Sequence, residues 1–156
     1  MSTYYRTQGI ILAKQEVGEA DRFLTAYTED FGMLRLLAIG VRKITSKLRS
    51  GLELFDLSNI EFVEGKNTGI LTDAILKNGF WSIRKNLARI QAAKAVSDRM
   101  KKFFTQPEKD EKVWELLRTT FELLNNKNAD LKKAYSNFCI QLTSFLGYTP
   151  FQVSGR

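Results

Sequence analysis

The period of the hydrophobic pattern changes once along this chain, near Ser82, and that switch restricts the fold more than any other feature. Before it, apolar residues alternate or run in short blocks between turn residues, as strands do. After it they recur at steps of three and four, as on amphipathic helices. With 156 residues in all, each half has the size of one small unit. The expectation is therefore an α+β protein, with a β-barrel over 1–80 and an all-α domain over 81–156.

In the first half, Gly9-Ile10-Ile11-Leu12-Ala13-Lys14 reads as a strand that stops at Val17-Gly18-Glu19. Arg22 to Thr28 alternates, with Phe23, Thr25 and Tyr27 on one face, and Glu29-Asp30-Phe31-Gly32 is a tight-turn sequence leading back through Met33 to Gly40. Two more strands, about Asp56 to Glu64 and Gly69 to Lys77, flank the turn-prone Gly65-Lys66-Asn67. Five short strands with one long connection, Val41 to Leu54, match a small five-stranded barrel.

In the second half, Ile83, Leu87, Ile90, Ala93, Val96, Met100 and Phe103 predict one long helix from Ser82 to Phe104, broken at Pro107. A second helix buries Val113, Leu116, Leu117, Thr120, Phe121 and Leu124. The third, from Asp130, carries Leu131, Tyr135, Phe138, Leu142 and Phe145 and stops at Gly147 before Pro150. Short links imply a three-helix bundle.

Charge is distributed unequally between these halves. The net +7 arises wholly after residue 80, where fourteen Lys/Arg face seven Asp/Glu; residues 1–80 hold ten of each. A basic surface suits a polyanion, because closely spaced phosphates release condensed counterions when neutralised. Arg42, Lys43, Lys47 and Arg49 place four cations in eight residues, among Thr45, Ser46 and Ser50, whose hydroxyls also bond phosphate oxygens. This segment reads either as a nucleic-acid contact or as a solvated charged loop. Phe23, Tyr27 and Phe31 read either as platforms for unpaired bases or as core. The long helix carries Arg84, Lys85, Arg89, Lys94, Arg99, Lys101 and Lys102 against Asp98. It suits phosphates or an acidic peptide ending in an apolar residue, the plain alternative being a solvated face.

The absences narrow the chemistry. The chain has no histidine and one cysteine, Cys139, expected to be a buried structural thiol. No metal ligand set, no cofactor and no phosphate-loop or nucleophile-elbow motif is expected. Acidic pairs such as Glu19 with Asp21, or Asp110 with Glu111, suit solvated loops better than a hydrolytic site. The reading is of a binding protein and not of an enzyme. No leader or membrane span is seen, which points to the cytosol.

Several short stretches, in this order and spacing, resemble the N-terminal domain of the RecO family of DNA repair proteins. They are Gly9-Ile10-Ile11-Leu12, Gly18-Glu19-Ala20-Asp21-Arg22, Thr28-Glu29-Asp30-Phe31-Gly32, Ala38-Ile39-Gly40-Val41-Arg42-Lys43, and Ser46-Lys47-Leu48-Arg49 with Leu52 to Phe55. Leu146-Gly147-Tyr148-Thr149-Pro150 is similar to the Leu-Gly-Tyr-x-Pro stretch that follows a helix in that family. The resemblance implies an OB-fold, binding of single-stranded and double-stranded DNA, and ATP-independent annealing of complementary strands. It also implies partnership with RecR in loading RecA onto strands covered by single-strand-binding protein, whose acidic C-terminal tail the helical part would receive. Many members continue into a cysteine-bearing zinc segment; this sequence ends at Arg156 without one and is expected to be a short form or a truncated piece.

The combined expectation is a nucleoid-associated recombination mediator that binds DNA through Arg35, Arg42, Lys43, Lys47 and Arg49, with the basic helix contributing. An OB-fold RNA-binding protein and a protein-interaction adaptor that does not bind DNA are the competing readings.

Overall fold

The computed structural model describes residues 3–43 and 50–147. In chain order the elements are β1 (Tyr4–Val17), β2 (Asp21–Thr28), β3 (Gly32–Ala38), β4 (Leu57–Glu64), β5 (Gly69–Asn78), α1 (Trp81–Arg84), α2 (Leu87–Phe103), α3 (Glu111–Leu124) and α4 (Leu131–Phe145). The chain divides into two compact units, one comprising Met1–Gly79 with Lys101–Lys109, the other Phe80–Met100 with Asp110–Arg156.

The first unit holds a closed barrel of order β1-β2-β3-β5-β4, the OB-like architecture expected. Closure depends on β1, which is longer than its apolar run suggested because it serves two partners. Tyr4 to Ile10 pairs with β4, whereas Gly9 to Val17 pairs with β2 across a bulge between Ile11 and Ala13. A bulge bends the strand, so one strand can turn a barrel corner. The opposite seam is slight: β3 and β5 run parallel and pair only at Leu36 with Gly69 and Leu37 with Ile70. Inside lie Ile11, Leu24, Ala26, Leu36, Ala38, Val41, Leu52, Ile60, Phe62, Leu71 and Ala74.

The helical half needs one correction: the single helix expected from Ser82 to Phe104 is two, making four helices among the described residues. Asn86 interrupts it. Its carbonyl accepts from Ile90 N–H and its side chain from Arg89 N–H at 3.1 Å, the geometry of an N-cap. Leu87, expected on the inner stripe, is 70% exposed, because successive steps of three each fall about 60° short of a turn and leave it facing away from Ala93, Val96 and Met100, which are buried on the same helix. α3 and α4 begin at Asp110 and Asp130, whose carboxylates accept from Val113 and Lys133 N–H. Their buried faces carry Trp114, Leu117 and Phe121 on α3, and Ala134, Phe138 and Leu142 on α4.

Candidate nucleic-acid interface

Strand alternation puts Phe23, Thr25 and Tyr27 on the outside of the barrel, where they register with Leu37, Arg35 and Met33 of β3. Leu24 and Ala26, between them, point into the core. The two-residue period holds, but neither stacking platform nor core describes all three aromatics. Tyr27 is fully buried, its ring 5.5 Å from that of Phe104, so it offers no face to a base. Phe31 is half-buried in a barrel-end cluster, with its ring edge-on to Tyr5 at 5.7 Å and to Phe62 at 5.5 Å. Stacking is thereby corrected for Tyr27, whose burial leaves no free ring face, while Tyr5 and Phe62 take two of the contacts of the Phe31 ring. Phe23 differs: it is half-buried, and the Arg35 guanidinium lies 3.9 Å from its ring centroid.

Phe104 belongs to a strap, residues 104–109, that closes over one end of this face. Pro107 bridges to Gly32, and Lys109 Nζ lies 3.9 Å from Asp30 Oδ1. Gly32 permits both the turn and the strap. Its φ is +67°, and a Cβ there would stand 2.1 Å from the carbonyl oxygen of Glu108. Thr28 completes the turn, donating to the Gly32 carbonyl at 2.8 Å and accepting from Phe31 N–H at 3.1 Å. Beside the strap a groove of about 500 Å³ is lined by Thr25, Arg35, Asn67, Thr68, Lys101 and Thr105, among others. Met33, Leu34, Phe104 and Pro107 complete a mostly apolar wall, in which Arg35 and Lys101 are the cations within reach of a phosphate. The β4–β5 turn adds Lys66, which is exposed. The sequence marks Gly65-Lys66-Asn67 only as a turn and is silent on this contribution; the double aromatic Phe103-Phe104 just before Pro107 is its one signal of a strap.

The cations of the barrel sort into different roles. Arg42 is engaged within the chain: Nη1 lies 2.7 Å from Glu16 Oε2, and Nη2 donates to the Gly18 carbonyl. Glu16 also faces Arg22, and Asp21 accepts from Gly40 N–H at 2.7 Å. Much of the Gly18-Glu19-Ala20-Asp21-Arg22 stretch thus ties the β1–β2 turn to the end of β3. Arg35 and Lys43 are exposed; Lys47 and Arg49 lie outside the described residues.

The expected row of seven cations on one helix is likewise divided. Arg89 closes the end of α3 and the turn after it, donating to the carbonyls of Leu124, Asn126 and Lys127. Arg99 donates to the Tyr135 hydroxyl at 3.1 Å, a bond that holds its pKa above the usual arginine value. Burial in turn pushes the Tyr135 hydroxyl up, against the opposing effect of Arg99. Lys94 pairs with Asp98 one turn on, at 3.3 Å. Arg84 lies over the Trp81 ring and Lys102 over that of Phe103, Lys101 lines the groove, and Lys85 is exposed. Cys139 is half-buried and forms no disulfide.

Comparison with known proteins gives a match to the family described as recombination protein O, N terminal, over residues 1–80. A DNA repair protein RecO of Dehalococcoides mccartyi is 34% identical over 147 residues, covering 94% of this chain and 57% of that protein. One of Heliobacterium modesticaldum is 32% identical over 146 residues, covering 94% and 52%. One of a Thermoanaerobacter species is 26% identical over 145 residues, covering 93% and 58%. The chain therefore spans between half and three fifths of the length of these relatives.

Proposed function

The chain belongs to the recombination protein O (RecO) family, and from that premise we propose that it is a single-stranded DNA-binding mediator of recombinational repair. The observation that carries this reading is the Phe23–Arg35 pair on the outer face of β2 and β3. That face, with the β1–β2 and β4–β5 turns, is where OB-folds take oligonucleotides. An aromatic ring beneath a guanidinium offers stacking to any base and a charge to its phosphate.

A strand would run across Phe23 and Thr25 and meet the groove beside the strap, with Lys66 and Lys43 screening its backbone. Lys47 and Arg49 follow Lys43 in sequence and extend the same positive segment. Binding two backbones through such nonspecific contacts would let complementary strands approach and anneal without ATP. Action with RecR and single-strand-binding protein to load RecA, binding of duplex DNA, and a cytoplasmic, nucleoid-associated location complete the proposal. The binding is electrostatic and stacking in nature, so the protein makes and breaks no bond.

The test is a salt titration of single-stranded DNA binding with Arg35→Glu and Phe23→Ala. Arg35→Glu should weaken binding and flatten the slope of log affinity against log salt by about 0.7 for each phosphate it no longer neutralises. Phe23→Ala should weaken binding by roughly 5- to 150-fold with little change in slope, as stacking of one base implies. If both variants fold and bind as the parent does, the β2–β3 face is not the site.

A further inference from the structure

In the second unit, one large aromatic side chain points outward from an anchored mount. Trp81 is 59% exposed, whereas its neighbour Phe80 is fully buried and Ile83, two residues on, is buried too. The backbone is held firmly here. Phe80 takes a left-handed conformation with φ 47° and packs on Phe121 at 5.5 Å. Ser82 and Ile83 N–H both donate to Asn125 Oδ1, at 2.9 and 3.3 Å. With buried residues on either side, the start of α1 fixes where the indole is presented. Other large apolar side chains are exposed too, such as Leu87 and Ile75; Trp81 differs in its anchored mount and in the cation held over its ring.

The surroundings indicate the partner's charge. The Arg84 guanidinium lies 5.6 Å from the indole centroid, and Lys85 beside it in sequence is exposed. From Trp81 to Asn86 the charged residues are the cations Arg84 and Lys85, while Arg89 and Lys94 further on are engaged by the α3 carbonyls and by Asp98. An aromatic plane among cations without acids is the pattern that stacks bases and meets phosphates.

We propose that Trp81, with Arg84 and Lys85, is a second contact for single-stranded nucleic acid, separate from the barrel face. This rests on the reading of the protein as a strand binder and adds to it a place for another segment or a second strand. Two strand contacts on one chain give annealing a physical basis, since complementary strands would be concentrated on the same molecule.

The two tryptophans make the test direct, because Trp81 is exposed and Trp114 is 2% exposed. An oligothymidine of about 12 nucleotides, titrated into the full chain, should saturably quench the solvent-exposed part of the emission. The quench should vanish in Trp81→Phe and persist in the Phe23→Ala, Arg35→Glu double variant. Trp81→Ala, checked by circular dichroism, should lower the rate of strand annealing and, in that double-variant background, weaken binding by about tenfold.

Oligothymidine that binds the parent without altering Trp81 emission leaves the barrel reading standing and overturns this one. So does a quench that disappears with the barrel variants. Quenching by anionic vesicles or an acidic peptide but not by oligothymidine assigns the patch to those partners and equally removes the proposal. Absence of any DNA binding by the parent chain would instead defeat the reading of function on which it rests.

Discussion

Arg42 and Lys43 are adjacent and carry the same charge, yet the structure gives them different work. Arg42 is held between Glu16 and the Gly18 carbonyl, with its side chain 21% exposed; Lys43 is exposed. Arg42→Ala should therefore destabilise the barrel, by about 1–2 kcal/mol for a charge-assisted, partly buried bond. Lys43→Ala should leave stability within about 0.5 kcal/mol, as for a surface substitution. It should instead reduce the salt slope of DNA binding by about 0.7. Urea denaturation beside a salt titration separates the two effects. An Arg42→Ala protein as stable as the parent would mean that its ion pair contributes nothing and that the residue is available to phosphate.

At the scale of elements, the strap from Phe104 to Lys109 decides how much of the β2–β3 face stays open. It covers Tyr27 and leaves Phe23, so its attachment at Gly32 sets the limit of the proposed strand path. Gly32→Ala meets two obstacles at once, a positive φ and a Cβ 2.1 Å from the Glu108 carbonyl oxygen. The first costs about 1–2 kcal/mol, and the second forces the strap off the turn. The variant should lose at least that much stability, and amide exchange should quicken in residues 104–109 before the barrel strands open. Unchanged exchange in the strap would show that it is retained by its other contacts. The same substitution should lengthen the occluded site for single strands if uncovering Tyr27 extends the face.

For the whole molecule, the charge distribution and the absence of histidine act together. Cations in excess favour polyanions over the entire second half, while the described residues hold no cluster of three or more His, Cys, Asp or Glu side chains that could bind a metal. The melting temperature should accordingly be indifferent to a strong chelator, and elemental analysis of the purified chain should find no stoichiometric zinc. A melting point lowered by the chelator would reveal a metal that this chain's residues do not account for. Among the described residues no helix is long and apolar enough to cross a membrane.

What the amino-acid order determined by itself was periodicity and inventory. Alternation, the turn residues and the change of period near Ser82 were enough to find the five strands, the barrel and the helical half, because each signal is local. The resemblance in the first 80 residues identified the family because short motifs such as Thr28 to Gly32 specify turns locally, although Gly32 and Asp30 also hold the strap at Pro107 and Lys109. Only tertiary structure decided which like residues do unlike things. Tyr27 and Phe23 share one face of one strand, but a strap some eighty residues later covers the first and leaves the second beneath Arg35. Seven helix cations are equivalent in the sequence; folding takes Arg89 to the end of α3 and Arg99 to Tyr135. Pairing at long range depends on which surfaces meet after folding, and a one-dimensional pattern records the period of a face without recording what packs against it.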